Sequence, residues 1–580
     1  MENRGALWRA SRAEVWVAAC LLLLTLAIYA PVRHFGFVNF DDPIYVIQNS
    51  HVSGGLTSAN LRWAFTSTEG ANWMPLSWIS LMADVQFFGR GAGPHHVTNV
   101  AIHAASTLLL FWVLKRLTGA VFPSAMVAFL FTMHPLRVES VAWVAERKDV
   151  LSAFFWMLAL WSYTRYALQR KPGPYLLTLA FYSLGFMAKP MVVTLPLILA
   201  LLDVWPLGRV SLETPPGIFS RQNLRILIWE KLPFLVLAMA MSAATLYVQN
   251  QGHAVRSLDA WPLSTRLANA VTSGVVYIVK TIWPRGLAVF YPALAPPPVW
   301  QVAISALVLA GITALVLLTI QTRPYLAVGW FWYAIAILPV IGIVQVGDQA
   351  RADRYTYLPG IGLSIALAWT VADAWQRWPK ARPAGFAICC AAGVALVALT
   401  SKQVSYWQNS GTLFRRANQV TENNSIAHGS MGEVLRAEGH YEEALVEYRK
   451  ALAINPRYLA GLLNYGAVLG MLGRSGEALP PLRMAARIQP DDPDIHCALG
   501  LALAFQGYLK EAQEQFEVAI LLNPDNVNAH LELGKTLGNL GRLDDAIAEF
   551  SEALRLKPDS EEARTNLDKA IAMRDRRRKK

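Results

Sequence analysis

Cysteine is scarce in this 580-residue chain, which carries only four. Cys20, Cys389 and Cys390 lie in apolar runs and Cys497 in a helical repeat, with no CxxC pair and no histidine at ligand spacing. That pattern excludes a disulfide framework and a zinc site. Charge is scarce too: 16% of residues are charged against 54% hydrophobic. Neither a βαβ alternation nor a glycine-rich phosphate loop can be read, which excludes a soluble nucleotide-sugar fold. The net charge of +12 would suggest nucleic acid in a soluble protein. In so apolar a chain it is the Lys/Arg surplus of cytoplasmic loops and membrane-surface segments, and no nucleic-acid partner is expected.

Long hydrophobic runs are abundant instead. Stretches close to the ~20 residues needed to cross a hydrocarbon core recur through roughly the first 400 positions. Candidate spans are 14–32, 96–114, 119–135, 150–168, 174–188, 190–205, 231–248, 267–284, 299–320, 325–345, 357–375 and 384–401. The basic, then apolar, N-terminus mimics a signal peptide, but its core is long, lacks a small-residue cleavage site and is followed by more spans. An uncleaved first helix is expected, with Arg4, Arg9 and Arg12 holding the N-terminus in the cytoplasm. Lys115/Arg116, Arg165/Arg170/Lys171 and Arg209/Arg221/Arg225 then face the cytoplasm on a simple count. Arg377/Lys380/Arg382 do so only if one segment between 249 and 299 fails to cross. That segment is expected to be 267–284, which carries Lys280 and ends in Trp283-Pro284, as a re-entrant or interfacial helix. Eleven crossings would leave the C-terminal part on the non-cytoplasmic side.

That part has a period of 34 residues. Gly432, Gly466, Gly500 and Gly534 keep it, as do Ala444, Ala478, Ala512 and Ala546, and Pro456, Pro490, Pro524 and Pro558. Small residues let paired helices approach, proline ends each second helix, and Tyr448, Leu482, Phe516 and Phe550 are expected to fill the space between repeats. This is the tetratricopeptide pattern. The expected organisation is a membrane domain of about eleven spans over 1–405, a linker over 406–424, four tetratricopeptide repeats over 425–560, and a capping helix with a basic tail over 561–580. Such arrays bind segments of other chains; packing on their own membrane domain is the plainer reading. The fold class is all-α: a polytopic helical membrane domain followed by an α-solenoid.

On this topology three outward loops hold the chemistry. The first, 33–95, carries Asp41 and Asp42 in "FVNFDDPIYV", with "NLRWAF" and "WMPLSWISLMADVQFFG" patterned for helices lying in the membrane interface. The second, "HPLRVESVAWVAERKDVLS", holds Glu139, Glu146, Arg147, Lys148 and Asp149. The third, "GDQARADRYTYLPG", holds Arg351, Asp353, Arg354, Tyr355 and Tyr357. Charges gathered at membrane ends on one side suit an anionic headgroup facing a carboxylate centre. Two adjacent carboxylates also make each other harder to ionise.

These loops, in this order before tetratricopeptide repeats, resemble the transmembrane-and-tetratricopeptide O-mannosyltransferase family over nearly the whole chain. The resemblance implies a type-C glycosyltransferase: a multi-span enzyme taking a sugar from a polyprenyl-phosphate carrier, with an inverting single displacement. It matches Asp41 and Asp42 to the family's acidic pair, Glu139 to the acidic residue after "HP", Arg147 and Asp149 to a basic-acidic pair, and Arg354 and Tyr357 to the late-loop motif. Two departures bear on sugar and acceptor. Met74-Pro75-Leu76 stands where the family usually has arginine before proline, and Glu146-Arg147-Lys148-Asp149 carries an extra charge on each side of its motif. The alanine-rich style suggests a bacterial relative in the inner membrane, using an undecaprenyl carrier.

Sugar transfer from phosphate to a hydroxyl needs a base for the hydroxyl proton and positive charge for the leaving phosphate. Asp41 is the expected general base. Asp42 would orient the acceptor or hold a divalent metal with Asp41, and Glu139 would orient an acceptor or a clamp. Arg147 and Arg354 are the expected phosphate clamps, because the guanidinium fork donates two parallel hydrogen bonds. Lys148, Asp149, Arg351 and Tyr357 complete the carrier-binding set. Each has a blander reading: Asp41-Asp42-Pro43 as a turn or helix cap, residues 147–149 as a cap for the next helix, and Arg351 and Arg354 as lipid-headgroup contacts. His95, His96 and His103 read as interior polar contacts, Lys189-Pro190 as a tight turn, and the terminal "RDRRRKK" as a solvated helix end. The expected partners are the polyprenyl-phosphate sugar donor, a protein or peptide acceptor on the repeats, and membrane lipids. A non-enzymatic membrane scaffold for envelope assembly is the rival class. A lipid-linked-sugar transporter fits less well, because the polar residues gather at one membrane face instead of mid-span.

Overall fold

The structure, a computed structural model, describes residues 11–210 and 221–578 apart from positions 253, 260 and 294. Arg4, Arg9, Lys579 and Lys580 lie outside the described residues, as does the side chain of Arg221. The chain divides into two compact units between Thr421 and Glu422.

All twelve apolar stretches of the first unit form helices. The first, Arg12–Tyr29, starts at a capping box in which the Ser11 hydroxyl accepts from the Glu14 N–H and the Glu14 carboxylate accepts from the Ser11 N–H. Among the described residues five helices are long and apolar enough to cross a membrane: Arg12–His34, Ala92–Thr118, Arg225–Gln251, Val299–Leu318 and Pro379–Ser405. A sixth is counted if Val121–Met133 and Pro135–Ala142, bent by 58°, form one broken span. The remaining apolar stretches are shorter or carry charge at their ends, as Arg147–Gln169 does. Outward faces are greasy: Leu318 is 85% exposed and Ile388 69%. Side chains this apolar have hydrocarbon as their solvent, which makes the unit a multi-pass membrane domain. The stretch expected to be re-entrant is the helix Leu263–Ile282, which packs with Trp330, Tyr333 and Val316.

Residues 406–424, expected as a linker, belong instead to the membrane unit up to Thr421. The helix Ser410–Val420 buries Leu413, Phe414 and Ala417, and Asn409 caps it. Phe414 meets Phe40 at 6.2 Å, Trp407 meets Trp143 at 5.7 Å, and the Asn39 N–H donates to Ser410 Oγ at 2.8 Å. The spacing of its three apolar residues makes a docking face, so the segment buttresses the loop that carries Asp41.

The second unit is a series of paired helices: Ser425–Ala437 with Tyr441–Ile454, Leu459–Met471 with Ser475–Ile488, Pro493–Phe505 with Leu509–Leu522, and Val527–Asn539 with Leu543–Leu556, closed by Glu561–Arg578. Each second helix ends two residues before its repeat proline. Each of the large residues packs over the glycine of its own repeat's first helix, and all four lie in one core cluster that runs through the repeats. A Cβ on Gly432 would lie 2.8 Å from Tyr448, on Gly466 2.8 Å from Leu482, on Gly500 2.7 Å from Phe516 and on Gly534 2.6 Å from Phe550. A further glycine series, Gly439, Gly473, Gly507 and Gly541, turns each pair with φ between 72° and 83°, a region closed to most side chains. Gly500→Ala is therefore expected to destabilise the third repeat by about 1–3 kcal/mol through overpacking. Hydrogen exchange on the full chain would show it as lost amide protection confined to Pro493–Phe505 and Leu509–Leu522 and their neighbours.

Candidate active site

The two opening carboxylates do different jobs. Asp42 is fully buried. Its Oδ2 accepts from the Val38 N–H at 2.8 Å and its Oδ1 from the Ala145 N–H at 2.9 Å, so it ties the first outward loop to the second. Burial pushes its carboxyl up to about 7, against the pull of those two amides. Asp41 is half-buried and accepts no side-chain hydrogen bond from the described residues. Burial raises its carboxyl above the ordinary range, while Lys148 and Arg354, and more weakly Lys189, draw it back down; Glu146 pushes it up. Asp41 is the free carboxylate of the pair.

Glu146 is the centre of the charges around it. Its side chain is 1% exposed, yet three cations converge on it: Lys148 Nζ at 3.4 Å and Arg354 Nε at 3.2 Å from Oε1, and Lys189 Nζ at 3.1 Å from Oε2. Burial alone would raise this carboxyl, but Lys148, Lys189 and Arg354 outweigh it and hold the group well below the usual range. Arg354 also bonds Glu139 through its guanidinium and through its backbone N–H at 3.0 Å, and lies over the Trp143 ring at 5.4 Å. Lys148 donates to Tyr45 Oη at 3.2 Å and sits over that ring. Asp149 accepts from Lys189 at 2.5 Å and Ser140 Oγ at 2.9 Å.

Arg147 differs from its neighbours and from the clamp expected of it. It is 0% exposed and donates to Asn99 Oδ1, to Ser80 Oγ at 2.7 Å, to Asp84 Oδ2 at 2.6 Å and to the His95 carbonyl at 2.8 Å. With those donors engaged it has no open fork for a phosphate and braces the Ala92–Thr118 helix against Pro75–Phe88. The next residue in the helix, Lys148, is turned about 100° away and reaches Tyr45 and Glu146 instead. Tyr357 is likewise interior, its hydroxyl on His103 Nδ1 at 2.6 Å. His96 contacts the Gly36 carbonyl and His95 meets Asp84 at 3.1 Å, so the three histidines make interior polar contacts. Arg351 lies in the strand Gln349–Arg351, paired antiparallel with Tyr291–Pro292, and stacks over Tyr291 at 5.6 Å. Among the described residues no carboxylate pairs with it.

Two lysines noted in the sequence for other reasons turn out to bear on the site. Lys189 sits at the expected turn, between Pro172–Ala188 and Pro190–Thr194, but its ammonium enters the charge cluster. An ionisable residue inside a long apolar stretch was the available signal. Lys280 bonds Asp353 at 3.0 Å, and both bond the Tyr291 hydroxyl, which fixes the residue next to Arg354. As for a metal, both Asp42 oxygens are engaged, and among the described residues no three Asp, Glu, His or Cys side chains converge as ligands. The Asp41/Asp42 pair does not fit a divalent ion in this arrangement.

Fold and site together define a multi-pass helical membrane domain with a polar, charge-rich centre around Glu146, joined to a tetratricopeptide solenoid. Residues 77–218 match the family model of dolichyl-phosphate-mannose-protein mannosyltransferases, and 432–473 and 497–561 match tetratricopeptide models. The mannosyltransferase match begins after Asp42 and ends before Arg351. The chain is 23% identical over 529 residues to Protein O-mannosyl-transferase Tmtc1 of Drosophila melanogaster, covering 75% of this chain and 61% of that protein. It is 23% identical over 498 residues to Protein O-mannosyl-transferase TMTC1 of Homo sapiens, covering 74% and 54%. Among solved structures it aligns with YrrB, titled a TPR protein with an unusual peptide-binding site, at 25% identity over 27% of this chain and 79% of that one, with a TM-score of 0.25. The resemblance to the transmembrane-and-tetratricopeptide O-mannosyltransferase family stands on these matches, while the chain spans little more than half the length of the relatives it covers most fully.

Proposed function

We propose that this protein is a membrane glycosyltransferase that moves a sugar, mannose by its relatives' names, from a polyprenyl-phosphate carrier to a hydroxyl of a protein acceptor. The observation that carries the reading is a carboxylate, Asp41, whose side chain accepts no hydrogen bond from the described residues and which is set beside three cations gathered on Glu146. In the reaction the acceptor hydroxyl oxygen attacks the anomeric carbon and Asp41 takes its proton. The bond from that carbon to the phosphate oxygen breaks, and its electron pair leaves on the phosphate. Lys148, Arg354 and the unpaired Arg351 would meet the developing charge, worth most in a site shielded from water. Asp42 holds the loop of Asp41 in place, and Glu139 aims Arg354. An attack opposite the leaving group inverts the anomeric centre.

The repeats would hold the acceptor polypeptide. The positive-inside pattern supports an eleven-crossing topology with the repeats on the non-cytoplasmic side of a bacterial inner membrane, where an undecaprenyl carrier would serve. Two measurements test this. A reporter active only outside the cytoplasm, fused after Lys580, is expected to be active, while one in the 205–230 loop stays silent. Purified full-length protein is expected to transfer mannose from polyprenyl-phosphate mannose to a secreted protein of the same cell. No transfer with any polyprenyl-phosphate sugar would leave the anchored scaffold as the better reading.

A further inference from the structure

Counting hydrogen-bond donors around Glu146 isolates a residue that the resemblance does not assign. An ammonium has three donors and a guanidinium five. Lys189 spends one on Glu146 and one on Asp149. Lys148 spends one on Tyr45 and one on Glu146. Arg354 directs Nη1 to Glu139 and Nε to Glu146, and its Nη2 has no partner among the described residues. Each of the three therefore keeps an unspent N–H. Each is also slightly open, at 12% for Lys148, 14% for Lys189 and 12% for Arg354, above a carboxylate that is closed.

We propose that Lys189 is a phosphate-binding residue of this site, the third cation of a seat for a lipid-linked monophosphate, with Glu146 as the positioning residue that gathers all three. The proposal rests on the glycosyltransferase reading above. A phosphate monoester presents three non-bridging oxygens, and three unspent donors around one buried carboxylate match that number. The fold holds Lys189 there by more than its charge. Its helix, Pro172–Ala188, is stopped by Pro190, its backbone is extended, and its N–H donates to the Gly185 carbonyl at 3.0 Å. The preceding carbonyl, of Ala188, accepts from Ser77 Oγ at 3.0 Å, which ties the break to the first outward loop. Glu139, Glu146 and Asp149 each pair with at least one of the three cations, which lets the cluster tolerate burial while its donors wait, and Asp41 stands beside the same cations as a fourth carboxylate. A lysine that only neutralised Glu146 and Asp149 would need no opening.

The test is binding of undecaprenyl phosphate and of uncharged undecaprenol to the full-length, detergent-solubilised protein, with Lys189→Met and Lys189→Arg beside the wild type. The wild type is expected to prefer the phosphate. Lys189→Met is expected to cut that preference about tenfold through the loss of one charge-assisted hydrogen bond, with undecaprenol affinity unchanged. Lys189→Arg should keep most of it. A Lys189→Met protein that retains the full preference overturns the proposal. So does one that loses both ligands together, because Lys189 would then serve the fold alone. A wild type with no preference for the phosphate overturns the reading of the whole site, whatever Lys189 does.

Discussion

Asp41→Asn is expected to leave the protein folded, leave donor binding intact and cut sugar transfer by about 10²–10⁴-fold, the usual worth of a positioned general base. The substitution keeps the shape and removes only the proton acceptor. Because the Asp41 side chain accepts no hydrogen bond from the described residues, an amide there strands no partner. It also removes a partly buried charge, so thermal stability should hold or rise slightly. Initial rates of transfer by wild type and variant, with donor affinity measured separately, decide the matter. A variant that transfers normally would take the base role away from Asp41.

The pH dependence has a definite sign. Burial raises the Asp41 carboxyl, with Lys148 and Arg354 pulling it partly back. A base must be ionised to act, so transfer should fall as pH drops through this raised value, above the ~3.9 of a free aspartate. Removing a nearby cation, as in Lys148→Met, moves that limb to still higher pH. Asp42→Asn gives a useful contrast. Its two oxygens each accept a backbone N–H, and an amide offers only one acceptor and turns a donor toward the other N–H. Transfer is lost there through a displaced loop, with donor binding lost as well.

Much of this was legible in the sequence, and the physical reasons are uneven. The repeat unit was readable because its contacts are local: glycine, large apolar residue and proline recur within one 34-residue period. The membrane unit was readable because hydrocarbon demands long apolar helices. The loops that carry the site were readable as charge at membrane ends. Roles within the loops were not. Asp41 and Asp42 are adjacent and chemically identical, and they part because the N–H groups of Val38 and of Ala145, 103 residues away, both reach Asp42. Lys189 and Glu146 meet across 43 residues, a pairing set by how two helices pack. The segment 406–424 hid a docked helix because polar residues separate its few apolar ones.

Glu146-Arg147-Lys148-Asp149 shows the same limit most sharply, and its arginine carries the second large expectation. Arg147→Ala should fail through the fold, not through the donor. The guanidinium is wholly buried and its ion pair with Asp84, at 2.6 Å, is closed to water. Truncation leaves the Asp84 carboxylate buried with only His95 and Thr98 beside it. Breaking such a pair from one side costs about 3–5 kcal/mol, a large share of the stability of any domain. Arg147→Lys should rescue little, since an ammonium cannot span Asn99, Ser80, Asp84 and the His95 carbonyl at once. Removing both charges, as in Arg147→Met with Asp84→Leu, should recover part of the loss, because no charge is then stranded. Yield and thermal unfolding of the detergent-solubilised protein measure the first effect, and undecaprenyl-phosphate binding per folded molecule measures the second. A clamp would show the reverse: a normal yield of folded protein with weakened phosphate binding. That outcome would put Arg147 back among the groups that hold the carrier, and would mean its buried contacts open when the donor arrives.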